Sequence, residues 1–179
     1  VRTIISADFD NDGYDEIFVN NIGQPNRLYK ILENGVLKRI NFTTGRLSSG
    51  YGTGAAVADI DNDGILEILI AHGERKEQPL KIYKANIDSE NEYLRIKPLN
   101  QFGAPARGAT VTLKSNLRTH SKTIDAGSGY LCQMEPVAHF GIRRGEKNIS
   151  VSIRWTNGKE VHINSVEKNK VYTFKQILN

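Results

Sequence analysis

The stretch Asp8-Phe9-Asp10-Asn11-Asp12-Gly13-Tyr14-Asp15-Glu16 returns 51 residues later as Asp59-Ile60-Asp61-Asn62-Asp63-Gly64-Ile65-Leu66-Glu67. In each copy carboxylates stand at the first, third, fifth and ninth places, with glycine at the sixth. Ca²⁺ is a hard cation that takes about six to eight oxygens, and alternate Asp side chains on a tightly turned backbone converge on such an ion. The glycine permits the turn, which leaves the seventh carbonyl (Tyr14, Ile65) to face the metal. The candidate ligands are therefore Asp8, Asp10, Asp12, Tyr14 and Glu16 in one loop, and Asp59, Asp61, Asp63, Ile65 and Glu67 in the other, for two Ca²⁺ ions.

An EF-hand needs flanking helices and a bidentate Glu at the twelfth place of the loop. Those places hold Val19 and Ile70, inside the apolar runs Ile17-Phe18-Val19 and Ile68-Leu69-Ile70, which read as buried strand. A pair of metal-free Asx turns is the other reading, because Asp, Asn and Gly are ordinary turn residues. Two copies at identical spacing weigh against it: each would crowd several like charges together without a cation.

Strands lead into and out of both loops: residues 2–7 and 54–58 before them, 17–19 and 68–70 after. A polar turn follows each (residues 20–26 and 72–79), then a third strand, Arg27 to Leu32 and Leu80 to Ala85. The Asn34-Gly35 dipeptide predicts a hairpin into a fourth strand, Val36 to Ile40. A repeat of this length built from about four strands is a β-propeller blade.

The run Gly52-Thr53-Gly54-Ala55-Ala56-Val57-Ala58-Asp59-Ile60-Asp61-Asn62-Asp63-Gly64 resembles the FG-GAP repeat of integrin α-chain propellers and related extracellular propellers. That resemblance implies Ca²⁺ held between strands of one blade. The family usually has Asp at the ninth place, where this chain has Glu16 and Glu67. The string Phe102-Gly103-Ala104-Pro105 lacks the acidic loop and is not counted with the repeats. Closure takes about four or more blades, so two blades are expected to be part of a longer propeller. Val1 in place of Met carries the same expectation of a processed or excised piece.

Near Ile87-Asp88-Ser89-Glu90-Asn91 the calcium pattern stops, which divides the chain into blades at 1–88 and a second module at 89–179. Six strands are expected in the module, at 93–97, 109–114, 119–124, 149–155, 160–166 and 170–176. Ile149, Val151, Ile153 and Trp155 alternate with polar residues, and Thr156-Asn157-Gly158-Lys159 makes a hairpin turn. The fold class is thus all-β: a partial propeller of about two blades, then a small β-sandwich or barrel. Gly108-Ala109, Gly127-Ser128-Gly129-Tyr130-Leu131, His139-Phe140-Gly141 and Trp155-x-Asn157-Gly158 make this half similar to the ASPIC and UnbV module of the cartilage acidic protein family. The order of blades and module is also that family's. The resemblance implies a secreted, extracellular adhesion or scaffolding protein.

Composition is that of an ordinary globular chain, 39% hydrophobic and 25% charged, with no apolar run approaching the ~18 residues of a membrane span. The net charge of +4 conceals a division: residues 1–90 carry 10 Lys and Arg against 14 Asp and Glu, and residues 91–179 carry 14 against 6. Two calcium ions would roughly cancel the acidic half. Arg118, Lys122, Arg143, Arg144, Lys147, Lys168 and Lys170 are the candidates for a polyanion site, with sulfated glycosaminoglycan as ligand; nucleic acid is disfavoured for want of a recognisable fold signature. Solvated surface is the plainer reading of the same residues. Asn41 and Asn148 open glycosylation sequons, Asn41 being the better placed. Catalysis is not expected, since Gly127-Ser128-Gly129 is no nucleophile elbow and the four histidines lack zinc spacing. Cys132, the single cysteine, is expected to be a small buried residue. An assembly factor of the bacterial type stands as a further alternative.

Overall fold

The computed structural model describes residues 1–32, 34–40, 49–73, 77–85, 90–125 and 127–177, without the side chains of residues 49 and 50. Among these, all regular structure is β: fifteen strands in four sheets and no helix. The chain divides into two compact units. The first comprises residues 1–10, 14–89 and 127–135, the second residues 11–13, 90–126 and 136–179.

The first unit contains β1 (Thr3–Ala7), β2 (Glu16–Asn20), β3 (Ile22–Pro25), β4 (Arg27–Ile31), β5 (Leu37–Ile40), β6 (Ser49–Ala58), β7 (Glu67–His72) and β8 (Lys81–Lys84). They form two four-stranded antiparallel blades, ordered β1-β2-β4-β5 and β3-β6-β7-β8. This is the expected partial propeller of two blades. One detail differs from the sequence reading: the polar turn at 20–26 includes β3, which leaves its own blade and pairs with β6 of the next. Asn21 and Asn26 make the corners around it, with Asn21 N–H donating to Asn26 Oδ1 at 2.7 Å, so polar composition here reflects side-chain capping of a strand.

The alternation read from sequence sets the faces. In β1, Thr3, Ile5 and Ala7 point inward while Ile4 and Ser6 are exposed. Ile5, Phe9, Phe18, Leu28, Val57, Leu66, Ile68 and Ile70 make one core across both blades. Phe18, at the centre of β2, and Ile68, near the start of β7, are fully buried, each contributing roughly 1.5–3 kcal/mol of apolar transfer energy. The Asn34-Gly35 hairpin forms as expected, with Gly35 at φ +76° and β4 paired with β5 from Leu28↔Ile40 to Ile31↔Leu37.

Residues 127–135 lie along this unit as a strap. Tyr130 N–H donates to Thr3 Oγ1 (3.3 Å), Val57 N–H to Met134 Sδ (3.1 Å) and Glu135 N–H to Val57 O (3.4 Å). The strap passes so close to β6 that a Cβ on Gly54 would stand 2.3 Å from Cys132 Sγ and 2.7 Å from Tyr130 O. Cys132 is half-buried and not fully enclosed as expected, because it lies on the strap's flank; burial pushes its thiol pKa up.

The second unit contains β9 (Glu92–Leu99), β10 (Thr110–Lys114), β11 (Thr119–Thr123), β12 (Ala138–Ile142), β13 (Ser150–Arg154), β14 (Glu160–Ile163) and β15 (Lys170–Lys175). Sheets β11-β10-β13-β14 and β12-β9-β15 share one core, in which Leu94, Ile96, Val111, Leu113, Phe140, Ile142 and Ile153 are enclosed. The seventh strand, β12, is the one that alternation missed. All five of its residues are buried, so no polar face interrupts Ala138-His139-Phe140-Gly141-Ile142. Trp155 ends β13 by donating Nε1–H to Leu99 O at 3.0 Å. The turn beyond it closes as expected, with Gly158 at φ +83° and Trp155 N–H donating to Lys159 O at 2.9 Å. Phe102 is exposed at a tight turn of this unit, consistent with leaving Phe102-Gly103-Ala104-Pro105 out of the repeats.

Candidate metal centre

Both acidic loops adopt the same backbone. Asn11 and Gly13 have φ +54° and +87°, and Asn62 and Gly64 have +61° and +85°. The turn therefore uses two left-handed residues, at the fourth and sixth places. Glycine supplies one without strain, and asparagine is among the few other residues that tolerate this region. The fourth-place asparagines were missed in the sequence reading, although their identity in both copies was the available signal.

Strand exit then fixes the carboxylates. Glu16 and Glu67 are the first residues of β2 and β7, and both are buried. Each turns back over its loop: Phe9 N–H donates to Glu16 Oε2 at 3.0 Å, and Ile60 N–H to Glu67 Oε2 at 2.7 Å. That leaves Oε1 of each Glu facing the other acidic residues. Carboxylate oxygens of Asp8, Asp10 and Glu16 lie within 4.8 Å of one another, as do those of Asp59, Asp61 and Glu67. Asp8 and Asp59 are also buried.

The donor set fits a hard divalent cation. All six groups are carboxylates, and Glu16 Oε1 is a buried oxygen that accepts no hydrogen bond. Burial, then the Asp10 charge, pushes the Glu16 pKa up to about 8, despite the opposing hydrogen bond from Phe9. Bringing such oxygens together costs free energy that a cation offsets.

A lysine stands at each cluster. Lys30 Nζ is 2.7 Å from Asp10 Oδ2 and 3.6 Å from Glu16 Oε1. Lys84 Nζ is 2.7 Å from Asp61 Oδ2, 2.6 Å from Asp63 Oδ2 and 2.9 Å from Glu67 Oε1. Burial works against the Lys84 ammonium, but its attraction to the accepting carboxylates of Asp61, Asp63 and Glu67 outweighs it and holds its pKa above the usual range. The same lysine lowers the Asp61 pKa. Neither lysine was singled out from sequence, and neither was Glu135, whose Oε2 accepts from Asp59 N–H at 3.3 Å.

The other expected ligands are placed differently. Asp12 and Asp63 are outside the two close carboxylate groups, with Asp63 joined to its loop through Lys84 and through Ile65 N–H at 2.9 Å. Tyr14 has an exposed side chain and Ile65 a half-buried one. Asn41 lies outside the described residues. Asn148 is exposed with φ +55°, at the rim of a cavity of about 480 Å³ shared with Lys147, Ser150, Asn164 and Lys168.

The basic residues of the second unit are largely engaged. Glu146 is fully buried and accepts from Ser115 Oγ (2.7 Å), Arg118 Nε (3.0 Å) and Arg143 N–H (3.1 Å). Burial raises its pKa, but the Ser115 and Arg118 hydrogen bonds win and hold it below the usual carboxylate range. In the same unit Arg118 donates to the carbonyls of Gly13 and Gly141, and Arg143 Nε to that of Asp12 at 2.8 Å. Lys122 sits over the Phe140 ring, Lys168 pairs with Glu92 at 2.6 Å, Lys170 with Glu167 at 3.2 Å, and Arg144 with Glu90. His139, buried between these elements, contacts Asn11 Oδ1 through Nε2 at 2.8 Å; burial, Lys122 and Arg95 drive its pKa well below the ordinary value, so the ring is neutral.

Comparison with known proteins agrees with the architecture. Residues 8–70 match the FG-GAP-like repeat and residues 100–177 match ASPIC and UnbV. Cartilage acidic protein 1 of Mus musculus is 44% identical over 182 residues, covering 96% of this chain and 28% of the relative. The Homo sapiens protein is also 44% identical, over 96% of this chain and 27% of its own length, and that of Xenopus tropicalis is 41% identical over 93% and 28%. The chain thus spans little more than a quarter of the curated relatives it matches. Over nearly its whole length it is a homologue of that part of cartilage acidic protein 1, with FG-GAP-like blades followed by an ASPIC and UnbV segment.

Proposed function

We propose that the chain is the calcium-stabilised part of an extracellular adhesion or scaffolding protein, in which two ions brace the blades and recognition belongs to the surfaces they hold. In this reading residues 1–88 are the calcium-dependent blades and residues 89–179 the companion module. The observation that carries it is the repeated carboxylate cluster, Asp8, Asp10 and Glu16, then Asp59, Asp61 and Glu67, in which the first- and ninth-place residues are buried, Asp10 is half-buried and Asp61 is exposed. Each cluster sets three carboxylates against one lysine, and bound calcium would supply the remaining positive charge. Asp8, Asp10 and Glu16 would hold one ion and Asp59, Asp61 and Glu67 the other, with Asp12, Asp63 and the carbonyls of Tyr14 and Ile65 as further candidate oxygens. The extracellular and secreted setting is supported by the relatives' name, which refers to cartilage.

The reading gives the chain no catalytic role. It also makes Asn148, an exposed sequon, open to a glycan. Equilibrium dialysis tests the core of the proposal: two ions per chain are expected, falling to one in the double variant Asp59→Asn, Glu67→Gln. Retention of both ions in that variant would refute the assignment.

A polyanion-binding role is the second reading, favoured by Lys147 and Lys168 beside the polar cavity at Asn148. Sulfated glycosaminoglycan is its ligand. Such binding would survive chelator and weaken with salt, whereas partner binding through the blades would be lost with chelator. Elution from heparin at no more salt than a control protein of equal charge would dismiss it.

A further inference from the structure

We infer that Lys30 and Lys84 are tethered counter-cations which calcium must displace, so that each acidic loop exchanges an internal ammonium for an external metal. The inference rests on the calcium reading above. Strand register carries it. Glu67 and Lys84 are directly opposed in the β7–β8 pair, and Ile17 opposite Tyr29 in the β2–β4 pair sets Glu16 against Lys30 in the same way. Both lysines follow a tyrosine, Tyr29 and Tyr83, on the corresponding strand of each blade. Opposed residues of a pair project to the same face, so the register that aims each Glu into its loop aims a Lys there too.

The contacts show what the ammonium does. At the second loop, Lys84 Nζ lies within 2.9 Å of oxygens from Asp61, Asp63 and Glu67, three carboxylates around one ammonium head. Calcium would need these same oxygens at about 2.3–2.6 Å. It would stand either in the nitrogen's place or close beside it, where like charges repel. Exchange relieves that conflict: the flexible stem of Lys84, about a third exposed, swings its head out to water as the ion enters. Without metal the ammonium offsets part of the carboxylates' charge, which lowers the cost of the loop when calcium is scarce.

The two loops differ in degree. Lys30 is close to Asp10 at 2.7 Å but 3.6 Å from Glu16 Oε1, a looser reach than the 2.9 Å from Lys84 to Glu67 Oε1. Lysine therefore competes less well at the first loop, and its removal matters less there.

Calorimetric Ca²⁺ titration of the chain tests this with Lys84→Met in an Asp8→Asn background and Lys30→Met in an Asp59→Asn background, each isolating one loop. Lys38→Met, on the exposed face of β5, controls for net charge. Lys84→Met should tighten binding roughly tenfold, Lys30→Met less, and Lys38→Met not at all. In chelator, Lys84→Met should melt lower than its parent, whereas with saturating calcium the two should melt together. Unchanged or weaker binding by Lys84→Met, while its parent binds calcium, overturns the exchange and leaves the calcium reading standing. Absence of calcium binding by the unsubstituted chain overturns both.

Discussion

Glu16 gives the account a quantitative handle. In calcium-free protein its carboxyl is buried beside Asp10 and has a pKa near 8, against an ordinary 4.5. Between those values the folded chain holds a proton that the unfolded chain has released. Stability must therefore fall as pH rises through that window, by an amount on the order of 5 kcal/mol once the shift is fully expressed. Glu16→Gln keeps the shape of the protonated acid and removes the titration. In the presence of chelator, Glu16→Gln should thus match the parent near pH 5 and exceed it at pH 8 by several kcal/mol. For a chain of this size that is on the order of 10 °C in melting temperature. Differential scanning calorimetry at pH 5, 6, 7 and 8 in EDTA reads the effect, and added calcium should flatten the parent's slope because an ionised Glu16 then has a counter-charge. Parallel parent and variant curves from pH 5 to 8, or a parent whose stability rises across that range, would refute the reasoning.

Two further outcomes follow from packing and from a buried carboxylate. Gly54→Ala should destabilise the first unit by about 1–3 kcal/mol in chemical denaturation, because the added methyl meets Cys132 Sγ and Tyr130 O. Cys132→Ala in the same chain should recover only part, since the carbonyl clash remains. Glu146→Gln should cost about 3–5 kcal/mol by leaving Arg118 without its buried partner. Because the folded pKa of Glu146 is depressed, its contribution is present above the ordinary carboxylate range and is lost as pH falls through the folded value. The parent, not the variant, should show that acid-side loss.

The acidic loops and most strands were legible because their signals are local. Asp at alternate places, glycine at the sixth and an apolar exit strand need no knowledge of distant residues. The exit from the loop was also readable in outline. What sequence did not show is why the ninth place is Glu: the longer arm lets Oε2 take a backbone N–H at the second place while Oε1 faces the cluster. The lysines were hidden for a different reason. Lys30 follows Glu16 by 14 residues and Lys84 follows Glu67 by 17, so no fixed spacing reveals them and only the strand register does. β12 lacked alternation because both of its faces are covered. The strap at 127–135 looks like a polar loop, and its partners Thr3 and Val57 are far away in sequence. Tertiary burial decides such segments, and composition does not record it.

The central claim is that calcium binds the two loops of the folded chain and thereby stabilises it. Its most direct measurement is the melting temperature as a function of free calcium, for the parent and for a chain carrying both Glu16→Gln and Glu67→Gln. An ion bound only by the folded state at about 100 times its dissociation constant adds ~2.7 kcal/mol per site. The account predicts a saturating rise for the parent, reversed by EDTA, and little or none for the double variant. No rise in the parent at calcium levels up to ~10⁻² M, well above the range of extracellular modules, or an equal rise in the double variant, would contradict it.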